Sequence, residues 1–184
     1  MSYGEKEYAT IRKKEASYYT ERLEEVKKQK IKEKKTIVTT DEMPWELCPQ
    51  GHIKHLVNEQ METASNTLDI CMQQIPAGSR SGKHCHMAEE YMFILEGKGY
   101  SLHWDVDFEL GDAYYWKAQE TPSKWEWERG DSIYIPPNTV HQHFNSDPKN
   151  PVRFISAESR MFKYMGLDTL EQFENAPEFD QKNS

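Results

Sequence analysis

The chain has 184 residues and a formal net charge of -8, with 29% charged and 12% aromatic residues. This length fits one domain of ordinary size plus an extension, and five Trp and ten Tyr exceed what a disordered chain carries. The acidic balance argues against nucleic acid as a partner, because phosphate neutralisation needs a positive surface.

The cysteines and the apolar pattern bear on the cellular setting. Cys48, Cys71 and Cys85 are odd in number and irregular in spacing, which is not the pattern of a disulfide framework. No stretch approaches the ~20 apolar residues of a membrane span. The first ten residues, MSYGEKEYAT, lack the apolar run of a signal peptide. We therefore expect a cytoplasmic protein without a membrane partner.

Residues 5–35 predict a helix. The segment is rich in Glu, Lys, Arg and Ala and contains neither Pro nor Gly. Tyr19, Leu23 and Val26 form a narrow apolar stripe at helical spacing. Two interpretations stay open: a dimerisation or lid element, or a helix packed on the outside of the body.

The character of the sequence changes near Thr36, where Gly, Pro and β-forming residues begin to punctuate it. Residues 1–40 hold 11 Lys/Arg and 7 Asp/Glu (+4), which leaves 12 and 24 (-12) in residues 41–184. We therefore predict an N-terminal helical extension over 1–40 and a β domain over 41–184.

The body predicts short strands separated by Gly and Pro turns. Leu68, Ile70 and Met72 alternate with polar residues, as in a half-buried strand. EYMFILE (90–96) predicts a strand buried on both faces. Further strands are predicted at YSLHW (100–104), around Trp125 and Trp127, at SIYIPP (132–137), at VHQHFN (140–145) and at VRFISAES (152–159). Many short strands at close spacing predict an all-β jelly-roll barrel.

Two segments of the body are not predicted to form strands. Residues 105–124, DVDFELGDAYYWKAQETPSK, read as a long irregular aromatic segment that folds over the barrel mouth. The tail, LDTLEQFENAPEFD, predicts a short helix with Asp168 as its N-cap and Glu171 three residues on, the spacing of a capping box.

The stretch GKHCHMAEE (82–90) contains a candidate metal site. His84 and His86 are two residues apart, which places both on one face of a strand. Glu90 follows four residues later, and His141 returns 51 residues after Glu90. Three imidazoles and one carboxylate suit Fe(II), Mn(II), Ni(II), Cu(II) or Zn(II). Cys85 is expected on the opposite face, packed and not a ligand. The alternative is that the histidines are ordinary core or surface residues.

The spacing resembles the two motifs of the cupin family over residues 78–145. The first motif is Gly78, five residues, His84-Cys85-His86, three residues, Glu90, six residues and Gly97; the second is Gly130, five residues, Pro136, then His141, three residues and Asn145. Asn138 stands where the second motif usually has Gly, and Asn tolerates positive φ better than most residues.

The resemblance implies a small jelly-roll barrel that binds one divalent transition metal per chain through His84, His86, Glu90 and His141. Dioxygenases, oxalate-degrading enzymes, lyases and sugar isomerases share this barrel, so the fold does not choose among them. The amino-acid sequence around the two motifs is similar to that of gentisate-like ring-cleaving dioxygenases, which usually carry His at the position of Glu90. We expect an Fe(II) dioxygenase acting on a small oxygenated or aromatic acid, in a homodimer. The alternatives are a redox-neutral lyase or decarboxylase using Mn, Ni or Zn, and a non-catalytic small-molecule-binding cupin.

Strand alternation and the motif spacing give three further candidates. His143 and Asn145 share the face of His141. His143 is a candidate general acid or base, or a donor that orients a ligand, and the alternative is a hydrogen-bonded core histidine. Asn145 is a candidate substrate-binding residue. Arg80, four residues before His84, is a candidate clamp for a substrate carboxylate, or else a solvated loop residue.

Overall fold

The computed structural model describes residues 18–28, 35–61, 63, 67–112 and 114–183. These residues fall into two units: helix α1, Tyr18–Lys28, and the body from Lys35 onward. Residues 5–17 and 29–34 of the helix predicted over 5–35 lie outside the described residues, and Lys35 forms an isolated β-bridge with Thr63. None of the helices that the structure describes is long and apolar enough to cross a membrane.

The body is built almost entirely from short antiparallel strands. In chain order they are β1 (Trp45–Cys48), β2 (Gly51–Val57), β3 (Leu68–Ile75), β4 (Lys83–His86), β5 (Glu90–Glu96), β6 (Lys98–Trp104), β7 (Val106–Leu110), β8 (Tyr114–Ala118), β9 (Ser123–Glu128), β10 (Ser132–Ile135), β11 (Val140–Asn145), β12 (Val152–Ser159) and β13 (Leu170–Glu174). Short helices α2 (Met161–Tyr164) and α3 (Pro177–Lys182) follow β12 and β13. Single 3-10 turns occupy Thr40–Glu42 and Glu59–Met61.

Two large sheets contain most of these strands. The six-stranded sheet has the order β1-β2-β3-β12-β5-β10, and the five-stranded sheet has the order β13-β4-β11-β6-β9. The buried core joins both, because Trp127 of β9 packs with Met92 of β5 and Phe154 of β12. Within the described residues the edge strands of one sheet do not pair with those of the other. The prediction of an all-β jelly roll is confirmed. The barrel is open along two seams, where the described edge strands of the two sheets face each other without pairing.

The prediction that β5 is buried on both faces is wrong. Glu90, Met92 and Ile94 are buried, whereas Tyr91 and Phe93 are 49% and 39% exposed. A sheet packed on one side buries alternate residues. The prediction failed because aromatic residues also occupy the exposed face of β5, so the segment is apolar at nearly every position.

The segment 105–124 is regular where the sequence predicted an irregular one. Strands β7 and β8 form a two-stranded antiparallel sheet in which Val106 pairs with Ala118 and Leu110 with Tyr114. The base of this hairpin is closed by a hydrogen bond from the Gln119 amide to the Asp105 carbonyl, at 2.9 Å.

The C-terminal tail also differs from its prediction. Residues 170–174 form strand β13, which pairs with β4, and the short helix α3 begins only at Pro177. Without β13, the four-residue strand β4 would expose its backbone groups at a sheet edge. Pairing along the strand therefore outweighs the local capping pattern at Asp168 and Glu171.

Candidate metal centre

Four side chains from three strands meet between the two sheets. His84 and His86 lie on β4, Glu90 begins β5, and His141 lies on β11, directly opposite His84 in the strand register. One ligand atom from each of the four lies within 4.8 Å of the others. All four residues are at most 5% exposed. The structure therefore brings together the residues that the sequence predicts as metal ligands.

Backbone carbonyls orient two of the imidazoles. His86 Nδ1 is 2.8 Å from the Ala88 carbonyl oxygen, and His141 Nδ1 is 2.9 Å from that of Thr139. A carbonyl oxygen only accepts, so each Nδ1 carries a proton, which leaves Nε2 as the nitrogen that each ring offers to a metal. Both Nε2 atoms face Glu90 Oε2, at 3.2 and 3.3 Å. Such hydrogen bonds fix the tautomer that a metal-binding histidine requires.

The carboxylate of Glu90 is held from both sides. Its Oε1 accepts a hydrogen bond from the Ser156 hydroxyl, and its Oε2 faces the two imidazoles. Burial raises the pKa of Glu90, but the His141 and His86 rings oppose this effect and bring it well below its ordinary value. Burial lowers the pKa of His84 well below its ordinary value, and His141 adds to the shift. The group therefore presents an ionised carboxylate beside a neutral His84 imidazole.

The unsatisfied atoms of this group fit a metal. Among the residues that the structure describes, His84 Nδ1 and His141 Nε2 are buried without a partner in hydrogen-bond geometry. The His84 and His141 ring centroids are only 4.2 Å apart. Buried polar atoms rarely stay unpaired in native proteins. A mixed donor set of three imidazoles and one carboxylate fits a single divalent transition metal.

The neighbours of the ligands in the sequence lie where strand alternation places them. Cys85 is half-buried beside the ligands on β4, and burial raises the pKa of its thiol. Glu89 is exposed and accepts a hydrogen bond from the Tyr134 hydroxyl at 2.9 Å. Asn138 has a φ of 61°, as its position in the second motif predicts. Its amide donates to the His86 carbonyl at 2.8 Å and so ties the second motif to the first.

His143 lies next to the metal group in the core. Its ring centroid is 5.5 Å from that of His141, and its Nδ1 is 2.8 Å from the Ser101 hydroxyl. The same hydroxyl accepts a hydrogen bond from Trp127 Nε1. Burial lowers the pKa of His143 to about 3, so the ring is neutral at neutral pH. This geometry matches a hydrogen-bonded core histidine, and a catalytic role for His143 stays a prediction.

Arg80 and Asn145 lie at the other end of β11. Asn145 is four residues from His141, about 13 Å along a strand. Its Nδ2 donates to the Pro76 and Asn150 carbonyls, at 2.9 and 2.8 Å, and its side-chain oxygen accepts from the Asp147 amide. The Arg80 side chain is 45% exposed, with Nη2 3.9 Å from a Glu174 carboxylate oxygen. The two residues share a surface depression that contains none of the four candidate ligands.

A cavity of about 380 Å³ opens beside the metal group, along the seam between β1 and β13. We call it the seam cavity. Ser156, which bonds Glu90, lines it, and so does Glu158, whose Oε1 is 3.7 Å from His86 Nε2. Leu170, also in the lining, pairs with His86 in the β13–β4 register. A larger depression of about 680 Å³ lies at the opposite seam, near β9 and β10. The seam cavity is the better candidate for a substrate site, because its lining touches two ligands.

Sequence reasoning missed Ser156 and Glu158. Both lie in VRFISAES, two residues apart, so alternation gives them the same inward face as Phe154. Glu158 pairs with Glu90 across β12 and β5. Burial and the charge of Glu90 raise the pKa of Glu158 to about 7. The signal that could have identified them is the presence of a hydroxyl and a carboxyl side chain on the inward face of a predicted strand.

We expect Ser156→Ala to weaken metal binding by about 10- to 100-fold, the usual effect of losing a group that orients a ligand. Ser156 is the donor to Glu90 Oε1, so its loss leaves that oxygen buried without a partner. Chelator competition on the purified variant measures the affinity. Ser159→Ala on the same strand is the control, and equal affinities in the two variants would contradict the assignment.

Comparisons with known proteins place this architecture. A family model described as a cupin domain matches residues 71–158. A search of curated proteins finds no match.

Similar solved structures include the Lactobacillus farciminis oxalate decarboxylase formate complex (TM-score 0.59, 12% identity, covering 80% of this chain and 40% of that one). Vicilin from Corylus avellana, hazelnut, has a TM-score of 0.55 at 13% identity, covering 74% of this chain and 34% of that one. DMSP lyase DddQ from Ruegeria pomeroyi DSS-3 has a TM-score of 0.51 at 19% identity, covering 70% and 60%. At such identities the likeness shows the fold alone. The chain spans 34% to 40% of the vicilin and decarboxylase chains.

Proposed function

Since the chain belongs to the cupin superfamily, we propose that it is a metal-dependent enzyme acting on a small molecule, and specifically a mononuclear Fe(II) dioxygenase. The observation that supports this proposal is the buried group of three histidines and one glutamate beside the seam cavity. The proposed substrate is a small oxygenated or aromatic acid that enters the cavity and reaches the metal through an oxygen atom.

The chain supplies four donors, which leave up to two positions on a six-coordinate ion for other molecules. A bound divalent metal supplies Lewis-acid chemistry and a template for the substrate, and as Fe(II) it also supplies reactivity toward O2. Ser156 holds Glu90 in place, and the Ala88 and Thr139 carbonyls hold His86 and His141. The group is therefore preorganised by residues that do not themselves bind the metal.

A redox-neutral lyase or decarboxylase using Mn, Ni or Zn is the second candidate. The observation that favours it is Glu158, which lies in the seam cavity 3.7 Å from His86 Nε2 and whose side chain makes no hydrogen bond in the described part of the chain. A carboxyl group in that position is able to exchange a proton with a bound substrate. Oxalate decarboxylase and DMSP lyase share the fold, which makes this reaction class a reasonable one to test.

Metal analysis of protein purified without chelators is the first test, followed by anaerobic loading with Fe(II) and measurement of O2 consumption on a panel of small oxygenated acids. We expect substrate-dependent O2 consumption that His141→Ala abolishes, because His141 is a ligand within the buried group. Product formation without O2 consumption in Mn-, Ni- or Zn-loaded protein would favour the lyase. No turnover with any metal would leave a non-catalytic small-molecule-binding cupin.

A homodimer is part of the proposal. The resemblance implies it, and the outer face of the six-stranded sheet supports it. Tyr91, Phe93 and Tyr134 on this face are 49%, 39% and 55% exposed. Neighbouring exposed aromatic residues of this kind commonly mark a protein interface.

A further inference from the structure

We propose that the ligand of the seam cavity carries a positive charge at the end away from its metal-binding oxygen. The substrate class is then a small oxygenated cation or zwitterion, such as an amino acid whose amine is separated from its carboxylate. This inference rests on the proposed function, since it assumes that the ligand reaches the metal group.

The first argument is the charge of the cavity lining. Glu46, Asp69 and Glu158 are acidic, against Arg160 and His55. Each of the two basic groups is already paired with a carboxylate, His55 Nε2 at 2.8 Å from Glu46. The lining therefore repels an additional anion more than it attracts one.

The Arg160 guanidinium is not a clamp for an anionic ligand. Its Nη1 donates to Asp69 at 3.0 Å and its Nη2 donates to Asp168 at 3.2 Å. Two carboxylates therefore offset its one charge. Arg160 Nε is buried and, within the described residues, has no hydrogen-bond partner.

The second argument is Glu158, an acidic residue of the lining whose side chain makes no hydrogen bond within the described residues and whose ion-pair contact is a candidate metal ligand, His86. It pairs with Glu90 across β12 and β5, and like charges directly opposite each other are unfavourable. Its side chain is 30% exposed, and its nearest basic atom is His86 Nε2 at 3.7 Å, a nitrogen that faces Glu90. A divalent metal bound through His86 Nε2 would remove that nitrogen as a partner for Glu158 and leave the Glu158 carboxylate to face the ligand.

The arrangement separates two recognition tasks within one cavity. The buried group takes an oxygen of the ligand through the metal, and Glu158 with Asp69 faces the remainder of the ligand. An apolar ligand leaves the Glu158 carboxylate facing no opposite charge of the ligand, and an anionic end places a further negative charge beside it. A protonated amine avoids both penalties and gains a charge-assisted hydrogen bond.

The test uses the full chain loaded with Zn(II) and three propionates that differ only at carbon 3. These are 3-aminopropionate, 3-hydroxypropionate and succinate, which place a cation, a neutral group and an anion at the distal end. We expect calorimetry at pH 8 to give an affinity for 3-aminopropionate about tenfold or more above that for succinate, with 3-hydroxypropionate between them.

Glu158→Gln tests whether the preference comes from this carboxylate. We expect the variant to reduce the preference for the amine to within about threefold. Glu89→Gln, an exposed neighbour of the metal group, should leave the preference unchanged. The amine is also able to bind the metal directly, but such binding would not depend on Glu158.

Four results would overturn the inference. The first is that succinate binds as tightly as 3-aminopropionate or more tightly, and the second is that none of the three compounds binds. A Glu158→Gln variant with an unchanged preference is the third such result. The fourth is loss of zinc from that variant, which would make Glu158 a metal ligand. Failure of the wild-type chain to bind any divalent metal is a separate outcome, which contradicts the proposed function itself.

Discussion

Replacing Glu90 with alanine should lower the affinity for a divalent metal by more than about a hundredfold, beyond the effect of losing an orienting residue. Glu90 supplies the carboxylate of the four-residue group, and its Oε2 lies 3.2 and 3.3 Å from the Nε2 atoms of His86 and His141. Without it, three buried imidazoles would hold a divalent cation with no negative charge among them. Metal content per chain and chelator competition measure the loss.

Glu89→Ala is the matched control, since the two glutamates are adjacent and only one is buried. Glu89 accepts a hydrogen bond from Tyr134 on the surface, so its removal should leave the metal affinity within about twofold. Circular dichroism of both variants checks that the strands are retained. Equal metal content in the two variants would show that Glu90 is not a ligand.

The ligands were predictable because they depend on local alternation and on spacing. His84 and His86 share a face of β4 whatever the rest of the fold does. The separation of Glu90 and His141 matches a two-motif pattern, and the structure places both in one buried group. Asn138 was predictable for the same reason, because a tight turn before β11 needs a residue that tolerates positive φ.

The lining of the seam cavity was not predictable in the same way. Ser156 is 66 residues from Glu90 in the chain, and its contact depends on the register between β12 and β5. Alternation gives the face on which Ser156 and Glu158 lie, but not which strand is their neighbour. Asn145 shows the same limit, since alternation gives its face but not which depression of the surface it lines.

The errors in the fold also arise from long-range pairing. Residues 170–174 carry a local helical pattern, yet the open edge of β4 takes them as a strand. The outer aromatic residues of β5 resemble core residues in sequence, because apolar residues are common on both faces of a strand that lies within a larger sheet. Local pattern therefore identified most strands, and tertiary context decided the edges and faces.

Phe154→Ala should lower the free energy of unfolding by about 3–5 kcal/mol, the range for truncating a large buried aromatic side chain. Phe154 is 0% exposed on β12 and packs with the core residues of both sheets. Its ring lies edge-on to His143 and Trp127, with centroid distances of 5.3 and 6.4 Å. Truncation leaves a void where the two sheets meet, and denaturant unfolding of metal-free protein measures the loss.

Phe93→Ala is the matched control on the neighbouring strand, because Phe93 is 39% exposed on the outer face of the same sheet. Its truncation should cost about 1 kcal/mol or less. Equal losses in the two variants would contradict a core centred on Phe154. Among the described residues, the Phe154 ring contacts the rings of Trp127 and His143 but none of those of the candidate ligands. We therefore expect Phe154→Ala to weaken metal binding far less than Glu90→Ala. The two variants together therefore separate the energetics of the core from those of the metal group.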